Sequence, residues 1–335
     1  MEKNQPNERL TDLPVQTENI HFKPEEMILC AKCQRTNPPT RLNCFYCGGE
    51  MKFSDAQSKS LKPNLRKLES WEKGFNVILL SGAASFDETK LTETSRLLKI
   101  EKEFLQRMIE VERSLPIARA ESEKESEIVQ TRLSEFGIKT RVVSDESLAI
   151  EKPARRLRGI EFFEDKLNLI LFNQDAKIEL PTEDVALIVT GAIFERKISA
   201  TEKYNKKGEN KILDTSETAT DEILIDVFSR LDSIGYRIYA RGFDFSSLAV
   251  EKELLAKNNI IKLGEKLRRF APNVKYIDDY LLNRSLLASV WEVEQKTDSQ
   301  GMKRDGVGKF NFGNVTTVSN QLQFTKYSRL QWHLL

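Results

Sequence analysis

The chain places all four of its cysteines in one short stretch, as Cys30-x2-Cys33 and Cys44-x2-Cys47 with ten residues between the pairs. No other feature limits its local structure so tightly. A Cys-x2-Cys turn aims two sulfurs and the neighbouring backbone amides at one point, and two such turns supply the four thiolates of a tetrahedral site. The spacing therefore predicts one bound Zn2+ whose coordination positions are all filled by protein, a structural ion rather than a reaction centre. A module this short buries too little apolar surface to fold alone, so the ion is expected to supply the folding energy. Thiols gathered in two close pairs suit a metal in a reducing compartment better than a disulfide framework, and the expected localisation is cytoplasmic.

The residues around the sulfurs carry a resemblance. Cys30-Ala-Lys-Cys33-Gln34-Arg35-Thr36-Asn37-Pro38, continued by Cys44-Phe45-Tyr46-Cys47-Gly48-Gly49, resembles both the Ran-binding-protein type of zinc finger and the short bacterial zinc ribbon. Ile28 stands where the former family usually has the Trp that its RNA-binding members stack between bases. Gln34-Arg35 stands where its ubiquitin-binding members have Thr-Phe. Read from the residues alone, Arg35, Arg41, Phe45 and Tyr46 form a basic, aromatic-bearing surface, the composition that grips phosphates and stacks bases. The competing reading is that Phe45 or Tyr46 shields the metal core while the arginines are merely solvated.

Elsewhere the composition is globular but wet: 335 residues, 39% hydrophobic and 31% charged, with 52 basic against 51 acidic side chains. The net charge of +1 excludes a whole-chain field that would draw it to nucleic acid or membrane. Residues 1–26 nevertheless carry three basic against six acidic side chains, and residues 27–73 nine against four. An electrostatic partner is expected to meet the zinc region and the segment after it. Met1 to Ile20 lacks the apolar core of a secretory signal. The longest apolar run, Val185 to Phe194, is about half of the ~20 residues a membrane helix needs.

Catalytic signals are sparse. The two histidines, His21 and His333, lie near the ends, which leaves no basis for a His-centred base or triad. Asp278-Asp279 and Glu161 with Glu164-Asp165 read as helix-start and turn residues. Gly306-Val-Gly-Lys309 lacks the spacing and the hydroxyl of a phosphate loop. Tyr236 to Phe245 interleaves arginines with aromatics, which alternation along a strand also produces.

The expected fold class is α+β and multidomain. Residues 1–26 are read as a disordered lead, 27–52 as the zinc-binding module and 53–73 as a Ser/Lys-rich linker. A βααβ-type domain is expected at 74–148: a strand from Phe75, a helical stretch from Asp87 to Ser114 closed by Leu115-Pro116, a second helix opened by the capping box Ser122-Glu-Lys-Glu125, and a strand at Thr140–Val143. The pattern Phe75-Asn-Val-Ile-Leu, then Glu127 to Val143 around Gly137, resembles the C-terminal domain of the ribosomal stalk protein, a fold shared by the Clp protease adaptor. That resemblance implies a peptide- or protein-docking surface. Arg96 to Lys102 occupies the place of the stalk's Gly- and Lys-rich turn.

Residues 155–295 are expected to form a larger mixed β-sheet domain with C-terminal helices, faintly resembling a pleckstrin-homology-like barrel. Its strands are placed at 157–163, 167–172, 177–180, 185–197, 223–228 and 236–239, with a charged insertion at 199–221 and helices at 254–270 and 280–291. Residues 296–335 read as an aromatic-bearing tail, either packed on that domain or awaiting a partner. The expected function is a zinc-binding, non-enzymatic adaptor or regulatory protein that recognises another protein, with neither a membrane nor a small-molecule substrate. The alternative is single-stranded RNA or nucleoprotein binding through the basic zinc module.

Overall fold

The described residues form three sheets, a two-stranded one in the first unit and two larger ones in the second, where the helices pack against them in a mixed α+β architecture. The computed structural model describes residues 22–24, 27–39, 41–53, 63, 65–82, 87–174, 176–203, 211–306 and 309–335. The expectations placed on residues 1–21 and most of the linker lie outside them. The chain divides into two units, Met1–Lys62 and Pro63–Leu335. In the first, β1 (Ile28–Leu29) and β2 (Thr36–Asn37) pair antiparallel. Ile28 and Met51 close with Cys30 and Cys44 into a small core.

The second unit begins with β3 (Phe75–Leu79), α1 (Glu88–Leu98), α2 (Lys102–Glu110), β4 (Leu115–Ala120), α3 (Glu123–Glu135) and β5 (Thr140–Ser144). β3 is the central strand, antiparallel to β4 on one side and β5 on the other. The Ser122 half of the capping box forms, its hydroxyl accepting the Glu125 N–H at 3.3 Å, whereas the Glu125 carboxylate reaches past the N-cap to the Glu121 N–H at 3.4 Å. Gly137, at φ 78°, ends the helix as expected.

Two expectations for this region are corrected. The single helix over 87–114 is two helices, broken at Lys99, whose φ of 56° is left-handed. Leu115-Pro116 does not close a helix but opens β4, so the order is βααβαβ instead of βααβ. All six residues of β4 are buried, and a short run buried on both faces has no period to separate strand from helix.

The larger sheet holds β6 (Arg155–Phe162), β7 (Lys166–Leu171), β8 (Lys177–Pro181), β9 (Val185–Lys203), β10 (Lys211–Ser229), β11 (Asp232–Tyr239), β12 (Lys275–Ile277), β13 (Glu294–Gly306) and β14 (Lys309–Ser319). Their order is β13-β14-β9-β10-β11-β6-β7-β8, with β12 pairing the first half of β9. Helix α4 (Ala256–Phe270) packs Ile260, Leu263 and Leu267 into a core with Leu157, Ile225 and Ile238. Helix α5 is Tyr280–Leu287, shorter than the expected 280–291. The expected insertion at 199–221 is instead, over its described residues, the two arms of the β9–β10 hairpin, in which Ile198 faces Glu217 and Ser199 faces Ser216. Polar residues line the described part of both arms, so the strands carry no hydrophobic alternation to announce them.

The segment read as a tail is structured too. It forms the β13–β14 hairpin and then α6 (Gln321–His333), which lies at the centre of the second unit. Phe324, Tyr327 and Leu330 join Leu187, Tyr280 and Trp291 in the core. Gln323, Thr325, Lys326, Ser328 and Arg329 of α6 are equally buried, and each of these five finds a partner, as burial demands. Lys326 Nζ meets Asp145 at 3.1 Å. Ser328 donates to Asp226 at 2.7 Å, and Arg237 grips the same carboxylate with two 2.7 Å bonds. Arg329 donates to the carbonyls of Leu148, Ala149 and Lys152. Asp145 also receives Arg119, Asn76 Nδ2 at 3.0 Å and the Gly74 N–H at 3.0 Å. On the sheet side, Gly191 gives α6 its room: a Cβ there would come within 2.3 Å of the Phe324 ring.

Burial works against the Asp145 carboxylate, but Lys326, Arg119 and Asn76 outweigh it and hold its pKa below the ordinary value. A folded pKa below the unfolded ~3.9 means that this stabilisation is complete above that pH and is lost as the pH falls toward the folded value. Asp145→Ala, which leaves Lys326 and Arg119 buried without a counter-charge, is expected to cost about 3–5 kcal/mol in urea unfolding at pH 7. An unchanged midpoint and slope would show that the buried cluster is energetically idle.

Candidate metal centre

The two cysteine turns are built alike. In each, the carbonyl of the first cysteine accepts the N–H four residues on, Gln34 at 2.8 Å and Gly48 at 2.9 Å. Its own N–H donates to the carbonyl five residues on, Arg35 at 3.0 Å and Gly49 at 2.8 Å. The closing residue of each turn is left-handed, Gln34 at φ 56° and Gly48 at φ 67°. Gly48 adopts that conformation without strain, whereas Gln34 carries a cost that the turn must hold in place.

The turns bring Sγ of Cys30, Cys33, Cys44 and Cys47 within 4.8 Å of one another. Cys30 and Cys47 sulfurs are 3.7 Å apart, and those of Cys33 and Cys44 are 3.5 Å apart. That is far longer than the ~2.05 Å of a disulfide. It matches the edge of about 3.8 Å that follows when four thiolates surround one ion at ~2.3 Å. The donor set and its spacing therefore fit a four-thiolate metal site with no position left open.

Asn37 sets the orientation of the second turn. Fully buried, its amide donates to Cys44 Sγ at 3.4 Å and to the Arg35 carbonyl at 2.9 Å, while its Oδ1 accepts the Phe45 N–H at 2.7 Å. The Tyr46 N–H adds a second donor to Cys44 Sγ at 3.4 Å. Two sequence signals mark Asn37, its place four residues after Cys33 and its place directly before Pro38, but neither says that its amide turns to the Cys44 sulfur.

The sulfurs do not ionise alike. Burial opposes the Cys44 thiolate, but the Cys47 and Tyr46 N–H groups and the Asn37 amide draw its pKa down to about 6. Cys30 is also lowered, chiefly by the Cys33 N–H. At Cys33 the Arg35 N–H pulls downward, yet burial and the three neighbouring sulfurs outweigh it and push the thiol up to about 12. Four adjacent thiols can all become thiolates only when a cation offsets their mutual repulsion.

The four candidate surface residues lie together. The Arg35 guanidinium sits 4.8 Å over the Tyr46 ring and that of Arg41 4.8 Å over Phe45. The two rings meet edge to face at 5.5 Å. Phe45 is 66% exposed and Tyr46 53%, so neither seals the sulfurs; Ile28 and Met51 do that.

Other residues singled out by sequence are placed structurally. Asp279 precedes α5 but takes Arg113 at 2.6 Å and the Tyr327 hydroxyl in place of a cap. Glu161 pairs with Lys177 at 2.7 Å. Arg237 is held by Asp226 inside the core, so the Arg–aromatic alternation of β11 is buried on both faces. His333 contacts the Ser147 carbonyl at 2.8 Å; His21 and the residues between Gly306 and Lys309 lie outside the described set. On the second unit an open groove of 1120 Å³ is lined by charged and apolar side chains, with no His, Cys, Ser, Thr or Tyr among its lining residues. No helix among the described residues is long and apolar enough to cross a membrane. Comparison with protein families, curated proteins and solved structures finds no match for the chain.

Asn37→Ala is expected to weaken metal affinity by about 10- to 100-fold, as loss of a ligand-orienting partner does. Competition with a chromophoric chelator reads this directly. Affinity equal to the parent's would remove Asn37 from the site.

Proposed function

We propose that the chain is a zinc-binding, non-enzymatic adaptor that recognises a partner protein through its metal module and acts in the reducing cytoplasm. Zinc is the ion best matched to four thiolates in two Cys-x2-Cys turns, since its filled d shell opposes no geometry and its structural sites are closed sulfur-rich tetrahedra. The observation that carries recognition is the pairing of Arg35 with Tyr46 and of Arg41 with Phe45 on exposed rings beside a closed site. Exposed aromatics and arginines are the side chains that anchor interfaces. With every ligand position filled, the ion has no vacancy for substrate or water, and its task is to hold that surface rigid.

We take Phe75–Ser144, within the second unit, as a stalk-like recognition element in the same account. Two recognition elements on one chain suit holding one partner while presenting another. The 1120 Å³ groove has no imidazole or thiol among its lining residues, and we read it as a surface for binding.

Single-stranded RNA is the second reading, favoured by the two guanidinium groups lying over aromatic rings at 4.8 Å. The two are separable. Phe45→Ala/Tyr46→Ala keeps the four sulfurs, and captured protein partners are expected to be lost while bound zinc stays at the parental level. Identical partners from parent and variant would end the protein reading. For RNA, affinity measured by filter binding must fall with added salt and with Arg35→Ala/Arg41→Ala; insensitivity to either ends that one.

A further inference from the structure

We infer that Arg35 and Arg41 take two carboxylates of an acidic linear peptide, so that the partner protein docks on the metal module through an acidic segment. This deepens the protein-recognition reading above and rests on it.

The two arginines are placed alike. Arg35 lies 4.8 Å over the Tyr46 ring and Arg41 4.8 Å over that of Phe45, and both arginines are exposed. A guanidinium stacked on a ring keeps its N–H groups in its own plane, where they fork a carboxylate. Neither guanidinium donates to an acceptor among the described residues. Stacking also orders two long side chains in advance, so less rotamer freedom is lost when a ligand binds. The ring centroids are 5.5 Å apart, which joins the two forks into one surface.

The charge of the whole module agrees. Its described residues hold Lys23, Lys32, Arg35, Arg41 and Lys52 against Glu50, with Glu25 and Glu26 outside the described set. Glu50 stands opposite Asn43 in a backbone bridge and pairs with neither arginine. Four thiolates around a divalent cation keep a net negative charge, but it sits at the sulfurs, where the Asn37 amide and the Tyr46 N–H donate to it. Outside that shell, cations dominate.

The rings favour a peptide over nucleic acid. A base stacks on an open ring face. Here each ring gives a face to a guanidinium, and the two rings stand edge to face at 88° instead of side by side as a platform. A carboxylate needs only the guanidinium edge, which is free. In an extended peptide, residues i and i+2 share a face about 7 Å apart. The fitting sequence is therefore acid-x-acid, with one carboxylate for each fork.

The test uses the full metal-bearing chain and a fluorescein-labelled peptide containing Glu-Ser-Glu, followed by anisotropy. Binding is expected to weaken about tenfold or more with Gln-Ser-Gln, and likewise with Arg35→Ala/Arg41→Ala. Arg35→Lys/Arg41→Lys keeps the charge but loses the planar fork, and should also bind more weakly than the parent. No binding of the acidic peptide, equal affinity for the amide peptide, or parental affinity in either arginine variant overturns the inference. Displacement of the peptide by a lower concentration of oligouridylate also overturns it, and gives the site to RNA. Partner capture lost with Phe45→Ala/Tyr46→Ala but kept with Arg35→Ala/Arg41→Ala overturns this inference alone; capture kept in both ends the protein-recognition reading too. Where a variant loses its metal, the comparison of Glu with Gln peptides on the parent decides the matter.

Discussion

Four sulfurs confined within 4.8 Å govern the first unit of this chain. Without a cation their charges repel, and the pKa pattern shows the conflict: Cys44 is drawn down to about 6 while Cys33 is pushed up to about 12. With a cation the conflict becomes the folding energy of a segment whose apolar core is little more than Ile28 and Met51. The backbone of each turn, the strain at Gln34 and the orientation of Asn37 make sense only as parts of one coordination shell. Everything exposed on the module, including Arg35, Arg41, Phe45 and Tyr46, is held in place through that shell.

The second unit solves a different problem. Its central helix α6 is buried all round but rich in Lys, Arg, Ser, Thr and Gln. Such a helix is stable inside a protein only when each polar group is answered. Asp145, Asp226 and the carbonyls of Leu148, Ala149 and Lys152 provide those answers from the two sheets on either side. The helix thereby locks the three-stranded and nine-stranded sheets into one body. The long β9–β10 and β13–β14 hairpins extend from it with polar faces and open edges.

How much of this was legible in the sequence follows from the kind of signal each element carries. The cluster of four sulfurs was readable from spacing alone, because Cys-x2-Cys turns have few alternatives. The capping box at Ser122 and the left-handed Gly137 were readable because they are local. β4 was missed because Leu115–Ala120 is buried on both faces and has no period. The hairpin arms, 199–203 with 211–221 and 296–306 with 309–319, were missed because polar strands lack hydrophobic alternation; their pairing is a long-range property. α6 was hidden for the opposite reason: its polar residues look solvent-facing in sequence, and only the facing carboxylates and carbonyls show otherwise. Asn37 fell between these cases, visible in its spacing from Cys33 and in the Asn-Pro pair but meaningful only once its amide is seen at Cys44.

The central claim is most directly tested by native mass spectrometry of the purified chain, with near-ultraviolet circular dichroism before and after chelation. The account predicts a mass increment of a single zinc ion and loss of the Phe45 and Tyr46 signals once it is removed. A chain of metal-free mass, or one whose aromatic signals survive chelation unchanged, would contradict it.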